Sequence, residues 1–257
     1  MDYALDENEK LNILSAHYGD DFYIKKLISN LYEVGILPLY KLWIIDNTFK
    51  LDLSDPACEI IRFENKLEAN QQHAYSLNQA IDFLNLRKVK KLLLLDSDII
   101  LSTNRNWLNW LNIVTKDYDA VVAMQEGSKV LSHPCFMFFG NIDLRILNFL
   151  DGNKSFGFDT GRLVGYQLAK EYKVQKLLAV KPKWLPFGYF YSENTIFHLT
   201  SASLAYINSR LDNGLSRAYG IKLRKNIYKS ILKKKKIGIF NLYLLRIKSA
   251  IEVLLNY

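Results

Sequence analysis

The sequence predicts an α/β protein: a mostly parallel sheet flanked by helices, followed by a basic helical extension at the C-terminus. Three observations predict it. Strand-like and helix-like segments alternate through the first half, at the lengths expected of βαβ units. The leucine run Leu92 to Leu95, bounded by charge, reads as a strand buried on both faces. Lysines and arginines then crowd the end of the chain.

In order, Leu11 to Tyr18 reads as a first strand. Phe22 to Val34 has helical spacing, with Phe22, Leu27, Ile28 and Leu31 on one face. Tyr40 to Asn47 is a second strand ending in a carboxylate, and Glu59 to Phe63 a short third. Ala69 to Leu86 is a helix with Leu77, Ala80, Ile81 and Leu84 on one side. The leucine strand follows, then a helix from about Asn104 to Val114, then a strand at Ala120 to Met124. The second half is less regular. It offers a strand at Cys135 to Phe139, a short helix at Ile142 to Leu150 and a loop at Gly152 to Gly157. A helix at Thr160 to Tyr172 follows, then strands at Gln175 to Val180 and Thr195 to Leu199. With no repeat and no long linker, residues 1–220 are expected to form one domain and 221–257 a basic amphipathic tail.

The 257 residues, 49% hydrophobic and 23% charged, suffice for a sizeable core. Cys58 and Cys135 are far apart in sequence and in no metal-like spacing, which argues against a disulfide framework and suits a reducing compartment. The acidic N-terminus lacks an apolar run, and no uncharged stretch is long enough to span a membrane. A cytoplasmic protein is expected. The net charge of +8 is unevenly placed: residues 222–257 carry +9, which leaves −1 for the rest. Nucleic-acid binding would want basic residues spread through the fold, so no nucleic-acid partner is expected.

Asp96 and Asp98 close the leucine strand with only Ser97 between them. Ligands of open α/β sheets bind just beyond the carboxyl ends of the strands. If the chain leaves extended geometry there, both carboxylates can converge on one cation. Hard divalent ions take such oxygen ligands and share them with substrate phosphates. The same residues also serve as turn and cap formers, so context decides.

Four pieces supply that context. They are Ile44-Ile45-Asp46-Asn47, the stretch His73 to Ile81, Leu94-Leu95-Asp96-Ser97-Asp98, and Phe158-Asp159-Thr160-Gly161. With His133-Pro134-Cys135-Phe136, they make the chain from about Leu11 to Ser203 resemble the GT-A glycosyltransferases. The resemblance is to the large inverting, family 2-like group, which adds sugars to polysaccharides and lipid carriers. It implies a GT-A, Rossmann-like fold, a nucleotide-sugar donor, a divalent ion (Mn²⁺ or Mg²⁺) and a glycan or lipid-linked acceptor. The implied reaction is hexosyl or pentosyl transfer with inversion, in polysaccharide biosynthesis. Asp98 is then the leading metal ligand, with Asp96 touching the ion or the ribose. Asp46 stands for the carboxylate near the nucleoside, and Ser15, His17 and Asn78 complete the implied donor-binding set. His198 is implied as a further metal ligand, which would favour manganese. Asp159 matches the base that takes the acceptor proton, although many relatives carry Glu-Asp where this chain has Phe158-Asp159. For His73 and His133 a structural histidine is the default reading, with lining of the donor or acceptor pocket ahead of metal binding. The aromatic residues Trp184, Phe187, Tyr189 and Tyr191 suit either sugar stacking or core packing.

Lys233 to Lys236 adjoin an apolar, helix-like stretch. That pairing suits anionic membrane surfaces, so peripheral membrane contact through the tail is expected, with an oligomer interface as the competitor. The alternatives to a transferase are a nucleotidyltransferase, a phosphatase and a non-catalytic sugar-nucleotide or carbohydrate-binding module. The segment Ser15 to Asp20 lacks the Gly-rich basic loop of the first. The phosphatase would want its Asp-x-Asp on the first strand, whereas three strands precede this one.

Overall fold

The structure is a computed structural model that describes residues 11–18, 21–64, 69–149, 160–182, 188–199, 214–232 and 239–255. In chain order, β1 (Leu11–His17), α1 (Asp21–Glu33), β2 (Lys41–Asp46), β3 (Cys58–Ile61), α2 (Ala69–Leu86) and β4 (Lys91–Asp96) build the first half. β5 (Ile99–Leu101), α3 (Trp107–Asp117), β6 (Ala120–Met124) and β7 (Ser132–Phe139) follow. After a 3-10 turn at Leu144–Ile146 come α4 (Val164–Leu168), β8 (Val174–Leu177), β9 (Tyr189–Tyr191) and β10 (Ile196–His198). Helices α5 (Gly214–Leu232) and α6 (Ile239–Leu254) end the described chain.

Seven strands form one sheet in the order β3-β2-β1-β4-β7-β6-β8. All pairs are parallel except those of β7, which runs against β4 and β6. The short connection from β6 leaves β7 only the hairpin direction. The other three strands make a small antiparallel sheet, β5-β10-β9. Strand order reverses at β1, with β2 and β3 on one side and β4 on the other. That reversal opens a crevice beyond the carboxyl ends of β1 and β4.

The leucine strand is buried on both faces, as its composition requires. Leu93 and Leu95 pack with Ile24, Leu27 and Leu31 of α1 and with Trp107 and Leu111 of α3. Leu92 and Leu94 face the other way, towards Leu77, Ile81 and Leu84 of α2 and Leu168 of α4. A third core joins Tyr23, Ile100, Phe197 and Leu199 to Leu223, Ile227 and Tyr228 of α5 and Leu242 of α6. The expected boundary at residue 220 thus falls inside α5, a helix that packs on the small sheet.

The leucine strand ends at Asp96, and the chain turns out of the large sheet at Ser97–Asp98 to pair as β5. Two helices differ from expectation, each for a tertiary reason. The expected helix at 142–150 shrinks to one 3-10 turn, because Asn78 Oδ1 takes the Phe149 N–H at 2.9 Å and draws that backbone towards α2. The expected helix at 160–172 survives only as α4. Gly161 turns at φ +67° against Phe149, and Ser132 Oγ donates to Gly161 O and accepts from Gly165 N, fixing a turn where a first helical turn would be. Asp159, the expected base, lies outside the described residues, as do Trp184, Phe187 and the lysine run.

Candidate active site

The site forms where the two sheets meet. β4 delivers Asp96 at its last position, and the turn at Ser97–Asp98 swings the second carboxylate round. β5 then pairs with β10 in the register Ile99 to His198, and Leu199 N–H donates to Asp98 O at 3.3 Å. Pairing across a hundred residues therefore sets the imidazole beside the carboxylates. His198 Nε2 lies 3.2 Å from Asp98 Oδ1 and 3.5 Å from Asp96 Oδ2. One ligand atom from each of the three falls within 4.8 Å of the others. His198 and Asp98 are buried, while Asp96 keeps 18% of its side chain exposed, so the cluster opens to solvent on the Asp96 side.

Burial alone would lower the pKa of His198. Cys135 and Asp98 beside it override that and hold it well above the usual imidazole range. A divalent ion bound here would displace the imidazolium proton, because a metal takes the neutral imidazole. Two carboxylates and a histidine are a donor set that fits Mn²⁺ or Mg²⁺ chemically, with the nitrogen favouring the transition ion.

β7 supplies a second group. His133 and Cys135 stand two apart, hence on one side of the strand. Together with His198 they place another three ligand atoms within 4.8 Å. His133 and His198 have ring centroids 4.8 Å apart, and Cys135 N–H donates to His133 Nδ1 at 3.1 Å. Burial pushes the Cys135 thiol up, and His198 pulls it back only in part. His73 of α2 is lowered to about 4 by burial, with the field of Asp98 pulling the other way, so it too feels the carboxylates. Its ring meets Tyr18 edge-on, and Tyr18 OH donates to Gln72 Oε1.

Helix α5 approaches from the tail. Tyr228 OH donates to Ile99 O at 2.8 Å, one residue past Asp98. Arg224, half-buried, is lowered by that burial, while Tyr23 and Asp98 favour its charge. The electrostatic surroundings of Asp98 therefore include a cation and a phenol from a helix that begins 116 positions further along the chain.

The remaining expected residues lie on β1, at the end of β2 and on α2, with Ser15 and His17 flanking the β1 position that pairs with Asp96. Asp46, fully buried, spends both oxygens on its own loop: Thr48 N–H and Oγ1 donate to Oδ1, and Leu51 N–H and Arg62 Nε donate to Oδ2. Burial raises its pKa, and those bonds outweigh it, so the carboxyl titrates below its usual range. His17 is buried opposite Asp46 in the strand register, with Nε2 3.2 Å from Asp21 Oδ1. Ser15 lies opposite Leu95, fully buried, its hydroxyl without a hydrogen-bond partner among the described residues. Asn78 bridges α2 to Asn148 and Phe149, the backbone that leads into the segment of Asp159. Cys135, Arg224 and Tyr228 were not expected here. Cys135 lies in the His133-Pro134-Cys135-Phe136 segment without having been given a role there, and Arg224 and Tyr228 are brought in only by their places on α5.

No family model matches the chain, and no curated protein matches it. Solved structures do resemble it. One is the mannosyltransferase PcManGT of Pyrobaculum calidifontis in complex with GDP-Man and Mn²⁺, at 11% identity over 99% of this chain and 77% of that one, TM-score 0.43. Another is S. aureus TarS 1–349 in complex with UDP-GlcNAc, at 10% identity over 96% and 73%, TM-score 0.41. A glycosyltransferase involved in the glycosylation of the major capsid of PBCV-1 is 14% identical over 65% and 80%, TM-score 0.41. Identities and TM-scores this low leave the function to be argued from the residues of the site.

Proposed function

We propose that the protein is a metal-dependent glycosyltransferase that moves a sugar from a nucleotide-sugar donor to a hydroxyl of a glycan or lipid-linked acceptor, with inversion. The observation that carries this reading is the cluster of Asp96, Asp98 and His198 at the crevice between β1 and β4. Buried carboxylates facing one another are costly unless a cation joins them. Here they open towards the place where sheets of this topology receive nucleotides. A divalent ion held by these three side chains would stabilise the charge that grows on a departing nucleoside diphosphate.

The chain's own groups supply the rest. His198 and Asp98, locked by the β5–β10 pairing, hold the ligand set in place before the donor arrives. The Arg224 guanidinium adds positive charge to the side on which a diphosphate would sit. The loop held by Asp46, with Asn47 bonded to Ser76 of α2, forms a wall for the nucleoside. Asp159 is the residue assigned to take the acceptor proton, and the Asn78 bridge positions the backbone that leads to it. A base must come within hydrogen-bond reach of that hydroxyl, so its loss should spare donor binding and stop transfer.

The test is donor turnover with Mn²⁺, followed as nucleoside diphosphate release, together with donor binding by calorimetry. Asp159→Asn is expected to bind donor with unchanged affinity and to lose at least ~100-fold in turnover. Unchanged turnover in that variant would remove Asp159 from the mechanism. Donor binding without turnover in the wild type, across acceptors, would leave a binding module.

A further inference from the structure

We infer that α6 is an interfacial helix that docks the protein on an anionic bilayer. Its inner face is committed to the protein. Leu242 and Val253 are buried, Ser249 is fully buried, and Asn226 Nδ2 of α5 donates to Ser249 Oγ at 3.0 Å. Lys222 of α5 also pairs with Glu252 at 3.2 Å. These contacts fix the rotation of the helix, and with it the face that is turned outward.

That outward face is apolar. Tyr243, Leu244, Ile247, Ile251 and Leu254 are between 41% and 67% exposed, and Leu255, just past the helix, is 80% exposed. At ~3.6 residues per turn, the five helical positions fall within an arc of roughly 100°. Arg246 stands beyond one edge of the arc and Lys248 beyond the other, with Lys248 63% exposed. An apolar stripe with a cation on each side is the pattern of a helix lying in a headgroup layer. The apolar side chains enter the acyl boundary, and the long cationic ones reach back to the phosphates.

Charge decides between a bilayer and a second copy of the chain. Arg246 and Lys248 stand beside the stripe, and the one acid of α6, Glu252, pairs with Lys222 of α5. Two copies meeting along this stripe would bring like charge against like charge, whereas anionic headgroups neutralise it. Among the described residues, no helix is long and apolar enough to cross a membrane, so this one lies along the surface. The inference is independent of the transfer chemistry, because it uses none of the site residues as ligands or base.

The experiment is co-sedimentation of the full chain, without nucleotide, on phosphatidylcholine vesicles with and without phosphatidylglycerol. The wild type is compared with Ile247→Glu/Ile251→Glu and with Arg246→Glu/Lys248→Glu. The wild type is expected to bind the phosphatidylglycerol vesicles at least ~10-fold more tightly than phosphatidylcholine alone, and added salt should weaken it. Each double variant should lose at least ~10-fold while keeping wild-type circular dichroism, since all four residues are exposed. Equal vesicle binding by wild type and Ile247→Glu/Ile251→Glu would overturn the inference. So would a wild-type dimer that this variant turns into a monomer in sedimentation. Because donor binding is measured separately, failure here and failure of the transferase reading are told apart.

Discussion

Asp46 ends β2 and Asp98 lies in the turn just past β4, and their surroundings give them opposite work. Asp46 is surrounded by donors from its own loop, so its negative charge is already satisfied. Asp98 faces the buried imidazole of His198, which it helps to hold protonated against burial, and a divalent ion would take the place of that proton. Asp46→Asn should therefore cost about 2–3 kcal/mol of folding stability, because an amide turns donor against donor, and should leave Mn²⁺ affinity unchanged. His198→Ala should do the reverse, weakening Mn²⁺ at least ~10-fold, since even the groups that orient a ligand cost that much. The pH dependence follows from Asp46. Its folded pKa lies below its unfolded one, so its contribution is complete above the unfolded value, ~3.9. That contribution is lost as pH falls through the folded value. Urea unfolding against pH should show the acid loss flattened in Asp46→Asn. An acid limb as steep as the wild type's would show that this carboxylate does not set it.

At the scale of elements, the sequence was legible wherever local pattern and burial agree. α2 and β6 fall at their expected ends because periodicity alone decides them. β4 reads as buried on both faces because four leucines alternate between two cores. Leu94→Ala should cost ~2–5 kcal/mol in urea unfolding. A loss under 1 kcal/mol would mean that this strand is not the packed centre of the sheet. Legibility failed where a distant side chain overrides the pattern, as Asn78 does at Phe149 and Ser132 at Gly161 and Gly165. β9 was missed for a related reason: its three residues read as an aromatic cluster, and only pairing with β10 makes them a strand. Tyr228→Phe tests such long-range fixing. It removes the bond to Ile99 O, which should cost ~1 kcal/mol and also lower Mn²⁺ affinity. A stability loss without any metal effect would confine α5 to packing.

At the scale of the molecule, the sequence names Asp96, Asp98 and His198 as one ligand set and the fold brings the three together, while the groups around them were not legible. Asp96 and Asp98 share one turn, and their chemistry shows in three letters of sequence. Cys135 and Arg224 come up to them from β7 and α5, through the antiparallel insertion of β7 and the third core, which alternation of strands and helices does not foretell. The tail, read as an appendage, divides into α5, which closes the third core, and α6, which turns its apolar stripe outward. Deleting residues 214–257 should therefore uncover Ile100, Phe197 and Leu199 and lower the melting temperature, beyond any loss of vesicle binding. The central claim is that Asp98 and its neighbours hold a divalent ion for a nucleotide diphosphate. Thermal unfolding of wild type and Asp98→Ala, with a panel of nucleoside diphosphates and sugar nucleotides and with or without Mn²⁺, tests it most directly. The account predicts that one nucleotide stabilises the wild type by ~2.7 kcal/mol at a hundredfold excess over Kd, only with Mn²⁺, and that Asp98→Ala abolishes the gain. A folded wild type that responds to no nucleotide, or an Asp98→Ala protein that responds equally, would contradict it.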